Sequence, residues 1–206
     1  VAEGMTERGW REVWAAHLGL VRLVDDCVGR ILQALEAAGK LWETAIVFTG
    51  PFQYDQVHRI AIRSLVSTLE TRLRETLRED LSGTYGVSVS PTYGKFPEPR
   101  YTLAIRLGCN PQRVDELAKA IFKEIEALQT NGPTEKQVNE VFQAFLREFE
   151  TNFKDNNYLL SQIYGKYQNG EALGELFSLP ELYKKHISAG LIQEAAKTYL
   201  NRGNYV

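Results

Sequence analysis

The sequence predicts an α+β domain, a mainly antiparallel sheet covered by helices. Three observations carry that expectation. Two neighbouring segments, "GTYGVSVSP" and "RYTLAIRLG", alternate apolar and polar residues with period two across a Pro/Gly-rich loop, as half-buried strands of a hairpin do. A long helical pattern precedes them, and almost everything after them is helical. Strands grouped in one part of the chain and helices in another give segregated α+β layers rather than a parallel α/β sheet.

Each element follows from its own spacing. Trp10, Val13, Trp14, Val21, Val24, Val28, Ile31, Leu32 and Leu35 recur at intervals of three and four, so a helix is expected from Trp10 to Ala38 with Gly39 as its C-cap. "TAIVFTG", residues 44–50, is short, β-branched and aromatic, and ends at the strand-breaking pair Gly50-Pro51. Leu65, Leu69, Leu73 and Leu77, supported by Ile62 and Val66, predict a second long helix from about Tyr54 to Asp80. The hairpin follows, with Tyr85, Val87 and Val89 on one face of its first strand and Tyr101, Leu103, Ile105 and Leu107 on one face of its second. Val114, Leu117, Ala118, Ile121, Phe122 and Ile125 form an amphipathic helix. Thr134 then caps another, with Gln137 at the capping-box position. Asn156-Asn157 is expected to break that helix, Ser178 with Glu181 and then Ser188 to start shorter ones, and the terminal "NYV" to open a truncated strand.

Composition narrows the function classes. With 206 residues, 44% hydrophobic and 24% charged, the chain holds one domain or one and a half with a real core. No apolar run reaches the roughly 18 residues of a membrane span, so no membrane partner is expected. The formal charge of -2 gives no footprint for nucleic acid, and Arg72, Arg74 and Arg78 alternate with Glu70, Glu75, Glu79 and Asp80 in the manner of a solvated helix face. Cys27 and Cys109 lack the spacing of a metal knuckle or redox pair, and the compartment stays open between periplasm and cytoplasm.

No catalytic motif appears. His17, His58 and His186 lie far apart with no second histidine one helical turn away, so no metal site is expected in this chain. Nucleophile-elbow, phosphate-loop and dinucleotide patterns are missing. Asp25 and Asp26 are neighbours that point about 100° apart on a helix, so they read as surface charge rather than a converging acid and base.

From residue 45 to the end, the chain resembles the final, non-catalytic domain of the pitrilysin/insulinase family of zinc metallopeptidases, the inverzincins. The likeness rests on "IVFTGPFQYDQ", "LETRLRETLREDLSGTYGVSVSP", "YTLAIRLGCNPQRVDELAKAIFKEIEALQTNGPTEKQV" and "AAKTYLNRGNYV" in that order. The family's catalytic H-x-x-E-H is absent. The resemblance implies that zinc belongs to a separate catalytic half, carried by the same or a neighbouring chain, and that this domain walls the opposite side of a peptide chamber and is inactive alone. It also implies that Arg78 and Tyr85, seven residues apart in "LREDLSGTY", bind the substrate backbone. Guanidinium and phenol both donate hydrogen bonds, and donors aimed at a peptide carbonyl stabilise a developing oxyanion. A structural alternative has Arg78 pairing with a nearby acid and Tyr85 packing beside Val87. The matching alternative for the whole domain is an interaction module without a peptidase role.

Residues 1–44 resemble a different family, the sulfatases, through "WREVWAAHLGLVRLVDDCVGRILQALEAAGKLWETAIVFTG". That stretch lacks the family's nucleophile region and stops before its metal ligands, so no sulfatase chemistry carries over. The expected organisation is therefore a helical segment, 1–44, joined within residues 43–50 to the peptidase-like domain, 45–206. Strand edges at the two ends of that domain lead to an expectation of homo-oligomers.

Overall fold

The computed structural model describes residues 7–37, 43–79, 84–109 and 111–205. The chain divides into two units, Val1–Trp42 and Glu43–Val206. In the first, the described residues form one helix, α1 (Glu7–Ala37), whose Trp10, Val13, Trp14, Val21, Val24 and Val28 are exposed. The expected cap at Gly39 lies outside the described residues.

The second unit begins with β1 (Glu43–Pro51), α2 (Gln56–Glu79), β2 (Thr84–Gly94) and β3 (Arg100–Cys109). The helices α3 (Val114–Asn131), α4 (Glu135–Asn152), α5 (Asn156–Asn169), α6 (Leu179–His186) and α7 (Ala189–Tyr199) follow. Strand order is β1-β3-β2 and both pairings are antiparallel, so the last strand of the hairpin is the centre of the sheet. One face of the sheet is buried through Ile46, Phe48, Val89, Leu103, Ile105 and Leu107, while Ser88 and Arg106 on the other face are exposed. This is the α+β class that the period-two segments anticipated.

The helix α2 lies at the centre of the packing. Its Leu65, Leu69, Leu73 and Leu77 recur every fourth residue, so they form one ridge, and none is more than 1% exposed. That ridge sits against the sheet and against α3, α4 and α7. Arg74 pairs with Glu70 one turn away at 2.7 Å, as a solvated face requires. Arg72 departs from that expectation: it reaches Glu124 of α3 at 3.1 Å in a half-buried ion pair between helices.

Several local signals resolve in detail. Thr134 and Gln137 form the full capping box of α4, and Ser188 caps α7 by accepting from the Leu191 N–H. The break between α4 and α5 falls at residues 153–155 rather than at Asn156-Asn157. Asp155 accepts the N–H of Tyr158 and so starts a new helix in which the two asparagines are the first residues. Ser178 precedes α6 without capping it, since its hydroxyl donates back to the Glu175 carbonyl. Gly50 lies within β1, as the 44–50 segment has it, and a Cβ there would come within 2.9 Å of the Tyr101 ring, which is itself held by its hydroxyl on the Tyr199 carbonyl. Tyr205 forms an isolated antiparallel bridge with Phe48, so the terminal segment meets the outer edge of β1. No helix among the described residues is long and apolar enough to cross a membrane.

The leucine ridge gives a direct test. Leu69→Ala leaves a void in a fully buried site and should cost about 3–5 kcal/mol, read as a lower urea midpoint at unchanged slope. Thr134→Ala should cost about 1 kcal/mol, because it removes one cap and no packing.

Candidate functional site

Arg78 lies in the last turn of α2 and Tyr85 is the second residue of β2. Their side chains, and residues 80–83 with the expected turn glycine Gly83, lie outside the described residues. The backbone on either side is informative. Leu77 is fully buried, which fixes the end of α2 in the core. The ladder between β2 and β3 is irregular between Thr84 and Gly86, so the alternation that grouped Tyr85 with Val87 in the sequence stops at a bulge.

A second polar site lies at the other end of α2. The strand β1 ends at Pro51 and the chain turns through "FQYD" to Asp55, whose carboxylate accepts the His58 backbone N–H at 2.8 Å and starts the helix. The His58 ring also contacts that carboxylate at 2.8 Å. Burial works to raise the pKa of Asp55, but hydrogen bonds from His58 and Gln53 outweigh it and hold the pKa below its usual value. The capped start puts Arg59 and Arg63 one turn apart on α2.

Facing them across a cleft of about 210 Å³ is α5 with the chain that follows it. Lys166, only 5% exposed, donates to Glu171 at 2.6 Å and also to Glu175. Arg59 donates to the same Glu171 at 3.0 Å and lies 4.8 Å from the centre of the Tyr54 ring. Gln56 holds Glu175 at 2.7 Å. The geometry depends on Gly170, which ends α5 in the left-handed conformation and turns the chain so that Glu171 comes back over Lys166. Hydrogen bonds from Lys166 and then Gln56 lower the pKa of Glu175. For Glu171 burial acts in the opposite sense, yet Lys166 and Arg59 outweigh it and the pKa is again lowered.

Aromatic rings build the rest of the wall. Phe52 stacks on Tyr93 at 5.1 Å, Tyr54 meets Tyr93 edge-on at 6.4 Å, and Asn169 donates to the Tyr54 hydroxyl at 3.0 Å. Tyr183 stacks on Phe145 at 3.7 Å, and its burial pushes its pKa up to about 12. The phenol is therefore neutral at ordinary pH and acts as a hydrogen-bond donor or acceptor.

Sequence reading missed this cleft, because Arg59 and Lys166 are 107 positions apart and each looks like ordinary surface charge. The one local hint was Glu171 and Glu175 following Lys166 across a glycine. The three histidines lie on α1, α2 and α6. Among the described residues no group of three or more His, Cys, Asp or Glu side chains converges as a metal site would require.

A domain of this order, helices over a three-stranded antiparallel sheet with a charged cleft and no described metal cluster, has close structural counterparts. A family model described as the Peptidase M16 inactive domain matches residues 37–145, more than half of the chain, and the chain belongs to that family. The "Zinc protease PQQL-like" protein of Arabidopsis thaliana is 24% identical over 136 residues, which cover 64% of this chain and 14% of that protein. Among solved structures, the periplasmic protease PqqL from Escherichia coli superposes with a TM-score of 0.64 at 20% identity, over 77% of this chain and 18% of that one. The inactive peptidase domain of a putative zinc protease from Bordetella parapertussis gives 0.65 at 15% identity, over 80% of this chain and 87% of that domain. The chain thus spans under a fifth of the two full-length proteases and most of an isolated inactive domain.

Two outcomes follow from the ion network. Lys166→Met leaves two carboxylates without their shared cation and should destabilise the fold toward the lower end of about 3–5 kcal/mol, since Glu175 is partly open to water. Because Glu171 and Glu175 have lowered folded-state pKa values, their stabilisation is present above the usual glutamate pKa of 4.5 and is lost as pH falls through the folded values. The melting temperature of the Glu171→Gln, Glu175→Gln double variant should fall less steeply than that of the parent as the pH drops below 4.5.

Proposed function

We propose that this chain is the wall of a peptide-holding chamber that closes against a separate zinc-bearing catalytic half. The observation that supports it is the match to an inactive peptidase domain across residues 37–145, a span that includes both Arg78 and Tyr85. On this reading the partner, in the same or a neighbouring chain, supplies zinc and the attacking water. This domain supplies hydrogen-bond donors toward the peptide backbone and excludes solvent once the halves close. Arg78 and Tyr85 are the residues assigned to the backbone, flanking the corner between α2 and β2. Residues 1–44 are assigned no part in that chemistry, and their likeness to a sulfatase segment contributes no catalytic group. Copies of the domain associate through strand edges.

The test is kinetic and needs the reconstituted pair. With its catalytic half present, Tyr85→Phe should lower kcat at least about tenfold with little change in melting temperature, and Arg78→Ala should cost more because it also weakens peptide binding. If instead Arg78→Ala lowers the melting temperature and turnover per folded molecule is unchanged, the residue is structural and the assignment fails. Self-association is checked by light scattering: a strictly monomeric mass at millimolar protein contradicts edge pairing.

A further inference from the structure

Arg63 differs from the other cations of the cleft. Arg59 and Lys166 are each taken up by Glu171, and Lys166 also by Glu175. Arg63 forms no ion pair or hydrogen bond with any described residue, although it lines the cleft beside both. It also borders a second depression on the far side, and Tyr93 is the other residue common to both openings. The carboxylates on that far side do not take it. Glu70 is paired with Arg74 at 2.7 Å, and Glu148 faces Arg63 without forming an ion pair. Arg63 is exposed to solvent, has Glu148 among the charged groups around it, and is a cation at ordinary pH. The pKa values of Tyr158 and Tyr183 are raised, so at neutral pH these phenols are hydroxyl groups rather than competing anions.

The cleft therefore holds Arg59 and Lys166 engaged by Glu171 and Glu175, and beside them Arg63, which borders Glu148 without forming an ion pair with it. We infer that Arg63, with the Tyr93 hydroxyl beside it, binds the C-terminal carboxylate of a peptide whose last residue enters the cleft between α2 and α5. A guanidinium presents two parallel N–H donors that match a carboxylate, and a phenol hydroxyl adds a third. A guanidinium held in no ion pair suits a monoanion. A phosphate dianion would bring a second negative charge near Glu171 and Glu175, whose pKa values are already lowered. The volume of about 210 Å³ lies below the roughly 300–1,000 Å³ of sites for drug-sized molecules, so it fits the end of a peptide rather than a long stretch of one. Leu179, half-buried in the lining, provides apolar surface for the terminal side chain.

That the carboxylate belongs to a peptide rests on the chamber reading above; the carboxylate site itself rests on the cleft. The experiment is calorimetric titration of the full chain, without any catalytic partner, using N-acetyl-Ala-Ala-Ala, its C-terminal amide, and inorganic phosphate as probes. The free acid should bind at least about tenfold more tightly than the amide, and Arg63→Gln should abolish that preference, as loss of a bidentate charged pair does. The melting temperature should change little, since Arg63 is exposed and loses no ion pair or hydrogen bond to a described residue. Arg63→Lys keeps the charge without the fork and should retain part of the preference, which guards against a folding defect in the glutamine variant. Equal binding of acid and amide, no binding of either, an undiminished preference in Arg63→Gln, or phosphate displacing the peptide at equal concentration would each overturn the site. A selective carboxylate site in a chain that fails to support turnover with any zinc-bearing half leaves this inference standing and removes the chamber reading. Normal turnover in Arg63→Gln with no carboxylate preference in the parent does the reverse.

Discussion

Burial of the α2 leucine ridge is the constraint on which the other features depend. Four leucines at a spacing of four give a stripe that must leave water, and the sheet with α3, α4 and α7 gives it somewhere to go. Once that face is fixed, the remainder of α2 is fixed with it. The helix then carries Arg59 and Arg63 at its capped start and Arg78 in its last turn, on one rigid rod of 24 residues. A site built on such a rod is held more firmly than one built on loops.

The cleft shows how a cation can be kept in the interior. Lys166 is almost completely enclosed, a position that is costly unless opposite charge and hydrogen bonds compensate. Two glutamates do so, and Arg59 shares one of them, which ties α5 to α2 across more than a hundred residues of chain. Gln56 also holds Glu175, and Arg63 shares the cleft without an ion pair to any described residue.

Similarity at 15–20% identity with TM-scores near 0.65 has a physical explanation in the same terms. The fold needs a hydrophobic stripe on α2, alternation on the strands of the hairpin and caps at the helix starts, and many side chains satisfy each of those requirements. The polar groups of a cleft are not constrained in that way. Membership of the Peptidase M16 inactive-domain family therefore describes the scaffold.

The sequence by itself determined whatever depends on short-range periodicity and capping. The leucine spacing of α2, the alternation around Val87, Val89, Leu103 and Ile105, and the Thr134–Gln137 box were all legible, because each is written within a few consecutive residues. The boundary before α5 was read a few residues late, since Asp155 competes with the asparagines beside it as the capping group. The bulge before Gly86 could not be read, because an extra residue in a ladder is defined by the partner strand. Only the tertiary structure decided that Arg72 would reach Glu124, that Lys166 would be buried, and that Arg59 and Glu171 would meet. Charges act through space over a few ångströms, and which charges come that close is set by how the helices pack, not by their separation along the chain.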